Sequence, residues 1–516
     1  MRILTPLPVA ALLACVIGHQ LVAAVDIEPG HVKVVIVGAG AAGISAAQKL
    51  LEKGLDVVIL EAAEQIGGRI QSSNLSEGLA PEYEGWVEVG PQYVYSFGEL
   101  PKWLEEKGYL QDLPPQNDIY FSDIRGQLKG EDEIAAKNLD SLFNRLVSPM
   151  EDKGFPKADR KKFSVGAYLD SAYEAFKAED GLKEFDAALA EASYDVNVRG
   201  HKVALGVDSL YDVAIDTYNV LQMGSIELKQ LNVPFTTVFK DLASSVPAKN
   251  IKLEKAVSSI VFNKKTKSDH PIQVVTEDGE KIAAHHVIFT GSLGVLKADH
   301  EKLFKPALSP SRVKAINSIG FGKVEKIWAV YEKPWWKDIQ ADITGFGLLW
   351  EKDLKVDKER RYADKPWYRA VETINVATFA GEHVLEMALV GEPAELKGLA
   401  DDEQLAKDLT ALLKKFTKRD DIPVPQSAVS SWWANPYARG SKSYISYKSI
   451  EDNASFRNLS KSTWEYQHQG LKVPGLLFAG EATHSEYFST IQGAIESGWR
   501  EAKRLIKAYN LDENKL

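Results

Sequence analysis

Residues 32–61 read VKVVIVGAGAAGISAAQKLLEKGLDVVILE. The opening VKVVIV is apolar apart from Lys33, as in a strand buried on both faces, and it runs directly into GAGAAG at Gly38 to Gly43. A helix is predicted next, because Gly43, Ala46, Ala47, Leu50 and Leu51 share one face and Gly54 stands where a C′ residue should. A second strand, DVVIL, ends at Glu61. Strand, glycine turn, helix, strand and terminal acid together specify a dinucleotide site. Gly38 allows the tight turn, Gly40 lets the backbone approach a pyrophosphate, and Gly43 lets helix and strand pack closely. The start of the helix then offers unpaired N–H groups to the phosphates. Glu61, 18 residues past Gly43, is placed to accept hydrogen bonds from ribose hydroxyls. This unit alone leaves a nicotinamide and a flavin dinucleotide both open.

Outward from it, AAEQIGGRI at 62–70 supplies a second glycine turn, Gly67-Gly68, backed by Arg69. A long flavin dinucleotide lying across a sheet uses such an element, whereas a single nicotinamide domain does not need it. At the other end, VPGLLFAGEATHSEYFSTIQGAIESGWREAKRLI spans 473–506: a buried strand ending in Gly480-Glu481, then a helix with Ile491, Ala494, Ile495, Gly498, Ala502, Leu505 and Ile506 on one face. Between them lie HHVIFTGSLGVLK at 285–297, GFGKVEKIWAVYEKPWW at 320–336 and WWANPYARGSKSYISY at 432–447. In these motifs and their order the chain resembles the flavin-containing amine oxidases, and within them the polyamine oxidase branch.

The resemblance implies an α/β fold of two discontinuous domains. A Rossmann-like FAD domain is expected from 30–120, 241–310 and 455–510, and an α+β substrate domain from 121–240 and 311–454. It implies that Gly38, Gly40, Gly43, Glu61, Gly68 and Arg69 hold the adenosine and pyrophosphate of FAD, that the Val257 backbone meets the adenine, and that Gly480 and Glu481 lie near the ribityl and phosphates. The helix starting near Thr490 would turn its positive end to the isoalloxazine, and Trp432 and Tyr437 would wall it. Lys326 matches the lysine that holds a water beside the flavin and helps manage protons as hydride leaves the substrate. The cofactor is expected to be non-covalent FAD, with no metal, and the partners to be a small-molecule amine and molecular oxygen. The reaction implied is oxidation of a polyamine at a secondary amine, giving an aldehyde, a shorter amine and hydrogen peroxide.

Three pocket positions qualify the substrate. Tyr93 and Tyr95 stand where the family usually has a Trp and a His, and loss of the His removes a group that titrates near neutral pH. Lys442 replaces the usual aromatic wall, with Thr490 as the opposite wall. A charged Lys442 would repel a polyamine unless it turned away, lost its proton or met a carboxylate on a different substrate. Two alternatives therefore stay open: an oxidase of a carboxylate-bearing amine such as an amino acid, or a catalytically impaired secreted FAD-binding protein. The nearest acids in the central segment, Asp195, Asp208 and Asp212, read as solvated or helix-face residues.

Composition narrows the classes further. The 516 residues carry 62 Lys and Arg against 72 Asp and Glu, a net charge of −10 with no long basic block, which argues against nucleic acid as a partner. Arg2, the apolar run Leu7 to Ile17 and the small residues Val22-Ala23-Ala24 predict a cleaved signal peptide over 1–24, leaving no stable membrane span and a secreted or lumenal protein. The single cysteine, Cys15, falls within that segment, so the mature chain would hold no disulfide, thiolate metal site or cysteinyl link to a cofactor. Asn74, Asn453 and Asn458 begin sequons, and the ending Asn514-Lys515-Leu516 loosely echoes a peroxisomal signal, the competing address.

Overall fold

A computed structural model describes residues 29–75, 85–221, 227–266, 269–353, 357, 359–362, 364–377, 379–380, 383–391, 402–429 and 435–511. The expected signal segment, 1–24, and Trp432 lie outside the described residues.

The opening strand β1 (Lys33–Val37) leads into helix α1 (Ala41–Leu51) and strand β2 (Asp56–Leu60). β1 is the centre of a five-stranded, wholly parallel sheet in which β2 and Ile251–Lys252 lie on one side and His286–Phe289 and Leu476–Phe478 on the other. The glycines set the turn. Gly38 has φ +104°, and a Cβ on Gly43 would sit 2.0 Å from the Gly38 carbonyl oxygen, so neither position accepts an L side chain without moving backbone. Helix Ile491–Ala508 packs its apolar face, including Ile495, Ala502 and Leu505, against α1. The approach is close: a Cβ on Gly498 would lie 2.2 Å from the Ala42 carbonyl oxygen.

A seven-stranded sheet forms the second body, in the order Gln426–Val429, Val324–Val330, Val384–Val390, Thr373–Val376, Gly345–Leu349, Asp118–Ser122, Gly126–Gln127. Its core is aromatic and aliphatic, with Trp336, Phe346, Trp350 and Ile374 buried together with helix Asp402–Thr417. Helix Ala187–Leu205 packs on the same sheet, and Gly206 in the left-handed conformation ends it. This is the two-body α/β architecture the motifs imply, each body assembled from separated stretches of chain. The expected limits at 120/121 and 240/241 fall inside packed elements. Asp118–Ser122 belongs wholly to the seven-stranded sheet, while Leu231 and helix Phe235–Ala243 join the core around α1. Among the described residues no helix is long and apolar enough to cross a membrane.

Candidate active site

A cavity of about 1100 Å³ is lined from both bodies. One end is the dinucleotide unit. Gly38, Gly40, Ala41, Glu61, Gly68, Arg69, Val257, Gly480 and Glu481 all line it, whereas Gly43 lies behind the turn as packing. α1 begins at Gly40 with no side-chain cap and no acid in its first turn, so its first N–H groups face the cavity unneutralised. Glu61 is buried, its carboxylate accepting from Ala39 N at 2.7 Å and Ala63 N at 2.9 Å. Arg69 is pinned by Glu481 at 3.1 Å, and Glu481 in turn accepts from Ser489 N at 2.7 Å and Ser443 Oγ at 2.5 Å. These contacts tie the second glycine turn to the C-terminal segment. An uncapped helix start, side-chain-free turns and a fixed arginine in one cavity fit a pyrophosphate-containing dinucleotide.

The other end is built on the seven-stranded sheet. Lys326 projects from strand Val324–Val330, its Nζ donating to the Glu88 carbonyl at 2.8 Å and to Gln92 Oε1 at 3.2 Å, with Glu386 Oε1 at 3.8 Å. Glu386 sits opposite Trp328 on the neighbouring strand and accepts from its Nε1 at 2.8 Å. Asp118, accepting from Thr344 Oγ1 at 2.6 Å, lines the same end, as does Tyr93. Tyr93 is 43% exposed, and partial desolvation with Glu386 and Asp118 nearby pushes its hydroxyl up to about 12. Tyr95 also lines the cavity and stacks on Phe97 at 5.3 Å, which stacks on Tyr487 at 4.4 Å. Burial raises the Tyr95 hydroxyl above its ordinary value, so it keeps its proton and offers a hydrogen bond instead of acting as a base.

Lys442 and Thr490 both line the cavity, and so does Tyr437. Thr490 caps helix Ile491–Ala508, its Oγ1 accepting from Gly493 N at 2.9 Å and donating to the Tyr487 carbonyl at 2.8 Å. The Lys442 Nζ is turned to the Ala204 carbonyl at 2.5 Å, at the negative end of helix Ala187–Leu205. Desolvation, with Lys326 nearby, pulls the ammonium down to about 8.

The acids of the cavity differ from those considered in the sequence. Asp195 is not solvated: it is 4% exposed and meets Arg199 and Arg369 at 3.1 and 2.9 Å, in a cluster outside the cavity lining. Asp208 and Asp212 pair with Arg361 at 3.0 and 3.1 Å. Asp118 and Glu386 are the lining acids at the Lys326 and Tyr93 end, and the sequence held one sign of them: Glu386 interrupts the otherwise apolar run VLEMALV.

The profile of the family described as flavin containing amine oxidoreductase matches residues 41–506. The chain is 28% identical to the human protein named peroxisomal N(1)-acetyl-spermine/spermidine oxidase, over 93% of this chain and 96% of that one. It is 26% identical to probable polyamine oxidase 5 of Arabidopsis thaliana, over 92% and 98%. A solved structure of wild-type putrescine oxidase bound to putrescine shares the fold with a TM-score of 0.65 at 18% identity, over 92% of this chain and 99% of that chain. A dinucleotide cavity bordered by a strand lysine, in a chain matched by that profile over most of its length, has one reading: the chain belongs to the flavin-containing amine oxidoreductase family and is an FAD-dependent amine oxidase.

Proposed function

We propose that the substrate is a polyamine, oxidised at a secondary amine to an aldehyde, a shorter amine and hydrogen peroxide. The observation that carries this reading is the pair Asp118 and Glu386 at the Lys326 end of the cavity. Two carboxylates there suit a chain with ammonium groups on either side of the reacting nitrogen. Lys442, the residue that argued against a polyamine, has its ammonium engaged by the end of helix Ala187–Leu205. Bound non-covalently, FAD would supply the acceptor for the hydride leaving the carbon beside nitrogen, with molecular oxygen as the final oxidant. Asp118 and Glu386 anchor the distal ammonium, Tyr93 and Tyr95 border the chain between, and Lys326 holds the water that takes up and returns protons at the reacting amine. Water then hydrolyses the imine. The remaining assignments follow the sequence reading: Gly38, Gly40, Glu61, Gly68, Arg69, Val257, Gly480 and Glu481 toward FAD, with Trp432, Tyr437 and Thr490 about its ring.

The test is anaerobic stopped-flow reduction of the FAD-loaded protein by spermine, acetylspermine, spermidine and a set of amino acids. Polyamines are expected to bleach the flavin band, and Glu386→Gln, which keeps an acceptor for Trp328, is expected to raise the apparent polyamine Kd about 10- to 150-fold, the worth of a charge-assisted contact. Bleaching by amino acids alone would replace the reading with its rival.

That rival, a carboxylate-bearing amine held by Lys442, is favoured by the lysine lining the cavity at all. The two readings have opposite pH signs. Lys442 is charged below about 8 and neutral above it. A carboxylate substrate would then bind more weakly as pH rises through 8, whereas a polyamine would bind more tightly, and in either case Lys442→Met flattens that part of the KM profile.

The N-terminal segment supports entry to the secretory route, with the peroxisome as the alternative. Asn74 and Asn453 are exposed, whereas the Asn458 Oδ1 accepts from Ser455 N at 3.0 Å in a capping box. Expression in eukaryotic cells is expected to release a chain starting near Val25 and glycosylated at Asn74 or Asn453 before Asn458. Recovery of an unprocessed chain with peroxisomes would overturn this route.

A further inference from the structure

Away from the cavity, one edge of the parallel-sheet body gathers histidines from distant parts of the chain. Asp269 and His270 precede strand Ile272–Thr276, His285 precedes His286–Phe289, and His468 ends Tyr466–His468. The rings of His270 and His285 are 4.1 Å apart between centroids, and those of His285 and His468 are 4.5 Å apart. Ligand-capable atoms of Asp269, His270 and His285 lie within 4.8 Å of one another.

The hydrogen-bond partners fix where the protons sit. The Pro474 carbonyl can only accept, so His286 Nδ1, 2.6 Å from it, carries the hydrogen. His286 is fully buried, and in its neutral form Nε2 accepts from the Tyr509 hydroxyl at 2.6 Å. Tyr509 has one proton to give, so its oxygen accepts from His468 Nδ1 at 2.8 Å. The lone pair of His468 is therefore on Nε2. His468 is 5% exposed, its Nε2 has no hydrogen-bond partner, and it faces Asp269 Oδ1 at 3.5 Å. A lone pair directed at a carboxylate is repulsive unless a cation lies between them. His285 differs. Its Nδ1 accepts from Lys33 N at 2.9 Å, so its hydrogen is on Nε2 and is directed at Asp269 Oδ2, 3.3 Å away. It orients the carboxylate and has no lone pair to offer an ion.

We propose that His468 Nε2, Asp269 Oδ1 and a ring nitrogen of His270 form a binding site for a divalent transition metal of the zinc class, with His285 as hydrogen-bond donor to the ligating carboxylate. Two imidazoles and one carboxylate select zinc, copper or nickel over magnesium or calcium. The Asp269 side chain is 71% exposed, so water completes the coordination shell. The relay through Tyr509 and His286 to Pro474 supplies the outer hydrogen bonding that orients a ligating imidazole and sets its tautomer. The ion would cross-link the four-stranded sheet containing Ile272–Thr276 to the hairpin of Tyr466–His468 and Leu471–Val473. The site stands independently of the substrate.

The experiment uses untagged, FAD-loaded protein stripped with a chelator, titrated with Zn²⁺ by calorimetry and with Co²⁺ by visible absorption. One Zn²⁺ per chain, a raised Tm and ligand-field bands of four-coordinate Co²⁺ are expected. His468→Gln, which keeps a donor toward Tyr509, and Asp269→Asn, at an exposed side chain, should each lower Zn²⁺ affinity at least about 100-fold, and His285→Gln about 10- to 100-fold. Absence of binding, or binding unchanged in both His468→Gln and Asp269→Asn, overturns the proposal. So does metal-independent protein whose stability rises on acidification only when His468 is present, because the cation would then be a proton.

Discussion

Asp195→Ala is expected to lower the stability of the FAD-loaded protein by about 3–5 kcal/mol in urea or guanidinium titrations, the cost of leaving buried charge without its partner. The carboxylate is shared. Oδ2 meets Arg199 Nε at 3.1 Å and Arg369 Nη1 at 2.9 Å, and Oδ1 accepts from the Tyr362 hydroxyl at 2.7 Å. Arg199 and Arg369 are each 1% exposed, so neither guanidinium can turn to water when the acid is removed. Arg199 also donates to the carbonyls of Leu348, at 2.6 Å, and Val371, so helix Ala187–Leu205 is keyed to the seven-stranded sheet through this cluster. The guanidiniums hold the Asp195 carboxyl below the usual carboxylate range against the opposing effect of burial. Its contribution is thus present above the unfolded carboxyl pKa and is lost as pH falls through the lower folded value. Asp212→Ala is the contrast. Its carboxylate meets Arg361 with 43% of the side chain exposed, and its loss should cost at most about 1 kcal/mol. Equal losses at both positions would refute the account.

That contrast also marks what a linear reading reaches. Asp195, Asp208 and Asp212 look alike in sequence. The Arg199 partner at i+4 is visible there, but the burial that makes the pair matter depends on Arg369 and Tyr362, which come from a distant stretch of chain. The dinucleotide end was legible because each determinant is local. A strand, a turn needing φ above zero at Gly38, a helix without a cap and a terminal acid lie within 30 residues. That Asp118 and Glu386 share one end of the cavity was not legible, because non-local strand pairing brings them there: Asp118 opposite Gly345, and the Glu386 strand beside that of Lys326. Lys442 falls between these cases. The departure from an aromatic was plain in the chain, but the helix end that receives its ammonium could not be read from residues 432–447.

Lys326→Met carries the largest expected effect on activity: a fall of roughly 10²- to 10⁴-fold in the rate of flavin reduction by a polyamine, the range for loss of a group that manages protons in the transition state. The substitution is chosen for shape. Methionine is close to the lysine stem in volume and lacks only the ammonium, and Gln92, whose amide oxygen it leaves, lines the cavity, where water can replace the donor. Folding and FAD content, measured by Tm and the flavin band, should therefore match the parent. The proton balance should not. Burial pushes the Glu88 carboxyl up to about 7 and Lys326 holds it down, so with Lys326 gone it rises further and the residual rate should show an altered pH profile and not simply a lower plateau. Charge repulsion also falls at Lys442, whose ammonium Lys326 helps to hold down, so the inflection near 8 in the polyamine KM should move upward. A rate within about 10-fold of the parent, with an unaltered pH profile, would remove Lys326 from the chemistry. It would leave Asp118 and Glu386 as a binding site for cations served by some other proton carrier.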